Sequence, residues 1–167
     1  IFELLRGKKD KNGNYQKQPV IVQGITGKFG SVHTKLMLEY GTNIAAGVTP
    51  GKGGQKFQDV PIYNTVKEAT SASGAKISIV FVPAKFFLEA AKEAFEAGIK
   101  LLVAIPEHVP VRDTIQAIEI AKQNNAILIG PNTPGVIIPG FIKIGIMPAS
   151  PFMRGKIVVL SKSGTLL

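Results

Sequence analysis

Val20-Ile21-Val22-Gln23-Gly24-Ile25-Thr26-Gly27-Lys28-Phe29-Gly30 runs from a short apolar β-type stretch, through a glycine-rich turn, into Phe29–Tyr40. In that second stretch Phe29, Val32, Leu36 and Tyr40 recur at helical spacing, and Gly41 follows as a stop signal. A strand, a tight glycine turn and a helix in immediate succession predict the first βα unit of a parallel sheet. Outward from this unit the alternation continues. Strand-type runs are Ile44–Val48, Ile77–Val82, Leu101–Ile105, Ala126–Ile129 and Lys156–Leu160, with only a short segment at Pro61–Tyr63. Helical runs are Val66–Ser71, for which Thr65 is the N-cap, then Lys85–Ala97 before Gly98, and Val111–Asn124. Residues Gly130–Ser150 form a Pro/Gly-rich excursion with room for a small hairpin. The expected fold is α/β: a Rossmann-like, doubly wound, mostly parallel sheet of about six strands with helices on both faces, Lys156–Leu160 being the sixth.

The chain has 167 residues, 45% of them hydrophobic, enough for one domain with a real core. No apolar run approaches the roughly 18 residues of a membrane span, so a membrane partner is not expected. The absence of cysteine excludes disulfides, thiolate metal sites and a thiol nucleophile. A formal charge of +9 calls for an anionic partner. No basic stripe interleaved with aromatics is present, which argues against nucleic acid. Residues 1–18 carry Arg6, Lys8, Lys9, Lys11 and Lys17 around Asn12-Gly13 and read as a solvated basic extension ahead of the domain at 19–150.

In a doubly wound sheet the ligand lies beyond the carboxyl ends of the strands, so the βα loops carry the chemistry. The Gly24–Gly30 turn opens a helix whose amides and dipole suit a phosphate, with Lys28 adding a cation. The second strand ends without the acid that binds ribose hydroxyls in dinucleotide sites. It runs instead into Val48-Thr49-Pro50-Gly51-Lys52-Gly53-Gly54, where Lys52 suits a phosphate carried on the ribose. NADP and coenzyme A both meet that requirement. Glu107, in Ile105-Pro106-Glu107-His108, can accept from an adenine amino group or a ribose hydroxyl. Asn132, between Pro131 and Pro134, is a rigidly presented polar group. His33 and His108 have no paired carboxylate in their motifs and read as structural and surface residues. Metalloprotease, nucleophile-elbow and P-loop motifs are absent.

Five segments, in order, resemble the alpha subunit of succinyl-CoA synthetase: Gln23–Gly27, Gly47–Gly54, Gly130–Ile137, Lys143–Ile146 and Ser163–Leu166. The likeness runs from about Val20 to Leu167. It implies a ligase that makes succinyl-CoA from succinate, coenzyme A and a nucleoside triphosphate through phosphohistidine and succinyl phosphate. This chain would hold the CoA. Carried over by position, Thr26, Gly27, Lys28 and Phe29 are first-loop contacts, Lys52 the second, and Ile105, Pro106 and Glu107 the third. Ser163, Gly164 and Thr165 match a turn that faces the phosphohistidine. Residues 151–167 would then be a last strand and the start of a link to a phosphohistidine domain. The resemblance also implies a beta-subunit partner holding ATP or GTP with Mg, a cytoplasmic setting (the mitochondrial matrix in a eukaryote), and no activity from this stretch alone. Phe29 stands where many members carry a polar residue, which favours packing over a hydrogen bond, and Thr133 replaces a common cysteine. Competing readings are an NADP-dependent reductase domain and a free-standing CoA-binding regulator.

Overall fold

The computed structural model of the chain describes residues 1–7 and 9–161. Its centre is a seven-stranded sheet ordered β3-β4-β2-β1-β5-β6-β7. Here β1 is Val20–Gln23, β2 Ile44–Val48, β3 Lys56–Phe57, β4 Val60–Tyr63, β5 Ile77–Val80, β6 Leu101–Ala104 and β7 Ile127–Ile129. Every pairing is parallel except that of β3 with β4. Strands β1, β5 and β6 are buried at every position, which is why they read as unbroken apolar runs rather than alternating ones.

Alternate residues of these strands feed two cores. On one face Ile21, Ala46, Val80 and Leu102 meet α3 (Val66–Ser73), α4 (Phe87–Glu96) and α5 (Val111–Gln123). Phe87 and Phe95 are among the largest side chains fully enclosed there, and truncating either to Ala costs roughly 3–5 kcal/mol. On the other face Val20, Val22, Ile77, Ile79, Leu101 and Val103 meet α2 (Lys28–Glu39) and a hairpin of β8 (Gly135–Ile138) and β9 (Ile142–Gly145). Leu5 of α1 (Phe2–Arg6) joins this second core. Ahead of the sheet the chain turns around Asp10, whose Oδ1 accepts from the amides of Asn12 and Asn14, and the Arg6 guanidinium lies 5.4 Å from the Tyr15 ring centre.

Besides the burial of Leu5 in a stretch read as solvated, the structure departs from the sequence reading in two places. Lys156–Leu160 forms no strand: Ile157 and Leu160 are 89% and 94% exposed, with no sheet face to receive them. The remaining parallel place belongs to Val60–Tyr63, which pairs with β2 and is closed at its far edge by β3. Pro61, which heads what the sequence offers only as a short segment, is tolerated because its missing N–H falls in a short strand near the sheet edge. Secondly, the apolar stripe of α2 does not face the core. Phe29, Val32 and Leu36 are 51%, 54% and 40% exposed, and the helix buries Gly30, Thr34 and Met37 instead. A Cβ on Gly30 would lie 2.2 Å from the Gly24 carbonyl oxygen, so α2 packs on the turn through its smallest residue. Tyr40 ends the stripe by accepting a hydrogen bond from the Gly140 amide at 2.8 Å.

Two local features follow the sequence closely. Thr65 caps α3 in a reciprocal box with Glu68. Beyond the end of α2 the buried Thr42 hydroxyl donates to the Lys143 carbonyl at 2.7 Å and accepts from the Lys143 amide at 3.1 Å, tying the hairpin to the first βα unit.

Candidate functional site

After β1 and β2 the chain moves outward to β4, then crosses back to place β5 on the opposite side of β1. The carboxyl ends of β1 and β5 therefore flank the topological switch point, where an open α/β sheet leaves a crevice. A cleft of about 360 Å³ occurs there, lined by Phe29, Phe81, Val82, Ile105, Pro106, Glu107 and Ile146. Its volume is within the range of ligand pockets, and its lining is apolar apart from Glu107. A larger open groove along α3, lined by Tyr63, Thr65, Lys67, Glu68, Ser71 and Ala72, contains none of the sequence-predicted site residues.

The first loop is built to leave donors available. Gly27 is the N-cap of α2 and no side chain caps the helix. Gly27 itself donates to the Gly24 carbonyl, and the Ser31 amide is the first of the helix to find a carbonyl, that of Gly27. The amides of Lys28, Phe29 and Gly30 have no backbone or side-chain acceptor among the described residues. These are the orphan donors of a helix start, at the positive end of its dipole. Lys28 beside them is exposed. The Thr26 hydroxyl donates to that of Thr49 at 3.2 Å and so joins the first loop to the second.

Phe29 closes one side of the cleft by packing: its ring meets His33 edge-on at 4.4 Å and Phe81 at 5.9 Å, while His33 stacks on Phe81 at 6.0 Å. His33 is thus part of the wall's support. Burial, with the nearby positive charge of Lys143 adding to it, holds its imidazole below the usual histidine range, and its buried Nδ1 has no hydrogen-bond partner among the described residues. Lys143 is 4% exposed and is also lowered, by burial.

The second loop is organised differently. Thr49, Lys52, Gly54 and Gln55 donate their amides to Tyr63, Thr49, Ile62 and Lys52 carbonyls. The amides of Gly51 and Gly53 both donate to Asn64 Oδ1. Lys52 is exposed, and its ammonium has no acceptor among the described residues. In the third loop Ile105 is buried, Pro106 half-buried and Glu107 exposed, with its carboxylate 3.9 Å from His108. Asn132, at φ 56°, donates its amide to the Pro106 carbonyl at 2.9 Å and braces that loop rather than reaching the cleft wall. Ser163, Gly164 and Thr165 lie outside the described residues.

Of the sequence-predicted residues, Phe29, Ile105, Pro106 and Glu107 line one cleft, Thr26, Gly27 and Lys28 form the adjoining turn, and Lys52 rises from the neighbouring loop. Phe81, Val82 and Ile146 line the same cleft without having been singled out. Phe81 and Val82 directly follow β5, a position that the switch-point rule marks once the strand order is known. Among the described residues no group of three or more His, Asp or Glu is placed to hold a metal ion, and no helix is long and apolar enough to cross a membrane.

The chain is 54% identical over 149 residues to the alpha subunit of an ADP-forming succinate–CoA ligase from Aquifex aeolicus, covering 88% of this chain and 49% of that protein. It is 54% identical over 146 residues to the protein of the same name from Methanothermobacter thermautotrophicus, covering 87% and 50%. The chain therefore spans about half the length of these curated relatives. ATP citrate lyase from Methanothrix soehngenii, solved with citrate and coenzyme A, shares the fold with a TM-score of 0.67 and 24% identity over 77% of this chain and 23% of that one. The CoA binding domain model matches residues 15–108, more than half of the sequence and the part that contains all three loops, so the chain belongs to the CoA binding domain family.

Proposed function

We propose that this chain is the CoA-holding part of a succinate–CoA ligase alpha subunit. The observation that carries the reading is the pairing of an uncapped helix start with a separate exposed ammonium beside one apolar cleft. Coenzyme A has a pyrophosphate, an additional ribose phosphate and a long apolar-tolerant arm, and the residues present fit each part. The free amides of Lys28, Phe29 and Gly30, with the Lys28 side chain, suit the pyrophosphate. Lys52 suits the 3′-phosphate. Phe29, Phe81, Val82 and Ile146 offer apolar surface, and Ile105, Pro106 and Glu107 form the rim, with Glu107 as acceptor for the nucleoside. Thr26 and Asn132 fix the turn and the rim rather than binding by themselves. When bound, CoA supplies a thiol for acyl transfer.

The family's names and lengths support the rest of the proposal. A beta subunit would bring the nucleotide, ATP or GTP with Mg, and a further domain of the alpha subunit would carry the phosphohistidine. Residues 151–161, outside any helix or strand and exposed at Ile157–Leu160, suit a link toward that domain. Ser163, Gly164 and Thr165 would face the phosphohistidine. The assignment carries with it a cytoplasmic or mitochondrial-matrix setting.

Calorimetry with CoA, dephospho-CoA and NADPH tests the reading. The chain should prefer CoA to dephospho-CoA, and Lys52→Ala should remove that preference. A hydrogen bond to a charged group contributes about 1.5–3 kcal/mol, so CoA affinity should fall roughly ten- to a hundredfold. Tight NADPH binding with no CoA binding would replace the proposal by the reductase reading.

A further inference from the structure

We infer that Asn64 is a positioning residue for Lys52, setting the charge that distinguishes CoA from dephospho-CoA without touching either ligand. The inference rests on the CoA reading of the site. Asn64 is the first residue after β4, and β4 lies parallel to β2, so Asn64 comes level with the loop that leaves β2. Its Oδ1 accepts from the Gly51 amide at 2.9 Å and from the Gly53 amide at 3.0 Å. A single amide oxygen has two lone pairs and can serve both donors. The amides of the two residues that flank Lys52, Gly51 and Gly53, are thereby fastened to one side chain.

The backbone that carries that side chain is itself held. The Asn64 and Thr65 amides donate to Glu68 Oε2 at 3.0 and 3.3 Å, the Glu68 amide donates to Thr65 Oγ1 at 3.1 Å, and the Val66 amide donates to Glu93 Oε1 at 2.7 Å. The start of α3 is therefore a fixed post. Gly53 permits the reach, since a Cβ there would lie 2.5 Å from Asn64 Nδ2. With the amides of residues 51–55 all engaged internally, the loop offers an incoming anion no backbone donor. Lys52 is the cation of this loop, and its backbone origin is fixed by Asn64. Ordering the loop before the ligand arrives removes an entropic cost from binding.

A double-mutant cycle read as the ratio of CoA to dephospho-CoA affinity tests this on the full chain. Asn64→Ala should lower the ratio by about three- to tenfold, a fraction of the Lys52→Ala effect, and leave dephospho-CoA affinity within about twofold. Gly53→Ala, which displaces the Asn64 amide from the other side, should reproduce that result and serves if Asn64→Ala folds poorly. In a Lys52→Ala background Asn64→Ala should leave the ratio unchanged. An equal loss in both backgrounds, or a ratio unaffected by both Asn64→Ala and Gly53→Ala while Lys52→Ala abolishes it, overturns the positioning role alone. A parent chain with no preference for CoA, or a preference that survives Lys52→Ala, overturns the CoA reading and the positioning role with it.

Discussion

In the first turn of α2, the amides of Lys28, Phe29 and Gly30 have no acceptor among the described residues, whereas between β2 and β3 those of Gly51 to Gln55 are all consumed by the chain itself. The two loops are joined by the hydrogen bond between the Thr26 and Thr49 hydroxyls, and both carry one exposed lysine. Backbone donors in the first are fixed by steric contact: α2 begins where it does because Gly30 can touch the Gly24 carbonyl. In the second, the backbone acts as scaffold and a side chain acts as the donor. An array of amides suits a pyrophosphate, which needs several directed hydrogen bonds. A single ammonium on a flexible stem suits one more phosphate, as a point charge.

The first loop should be the more brittle. Gly30→Ala forces the turn away from α2, and overpacking of this kind costs about 1–3 kcal/mol, so the melting temperature should fall and affinity for CoA and dephospho-CoA should fall together. A variant with unchanged melting and unchanged affinity would mean that the contact is not what sets the turn. Next in size is the contrast between the lysines. Against the loss of preference expected for Lys52→Ala, Lys28→Ala should weaken CoA and dephospho-CoA by the same factor, below about tenfold, because the neighbouring amides remain. Unequal factors would show that the two loops do not divide the phosphates as described.

The smallest expected effect separates the loops by pH. His33 supports the Phe29 side of the first loop, and its folded-state pKa is lowered, by burial first and by Lys143 second. Below the unfolded value near 6.5 the unfolded chain takes up the proton more readily, so stability falls as pH drops from 7 toward 5 and levels once folded His33 also protonates. His33→Gln should flatten that part of the profile in denaturant titrations, while Lys52→Ala should leave it as it is. A slope that persists in His33→Gln would assign it to other groups.

The βα rhythm and the Thr65 cap were legible because each depends on neighbours in sequence or on residue type. What was not legible depends on strand order. Phe81 and Val82 line the cleft only because β5 returns to lie beside β1, and Asn64 reaches Gly51 and Gly53 only because β4 lies beside β2. The helical spacing of Phe29, Val32 and Leu36 identified one face of α2, but spacing cannot tell inside from outside, and the close approach of Gly30 to Gly24 decided it. Lys156–Leu160 has strand composition without a neighbour to pair with in the described chain, so composition alone misplaced it.

The bond between Thr42 and Lys143 spans 101 residues. It fastens the hairpin that, with α2, covers Val20, Val22, Ile77, Ile79, Leu101 and Val103. During synthesis those strand residues emerge before β8 and β9 exist, so one side of the growing sheet remains partly wet while the other can already dock α3 and α4. Long-range closure is slow, and exposed apolar faces on nascent chains are the substrates of chaperones and aggregation. The hairpin is thus a late-arriving cover, and Thr42→Val, which removes its latch while keeping the side-chain shape, should delay burial of that face more than it changes the sheet itself.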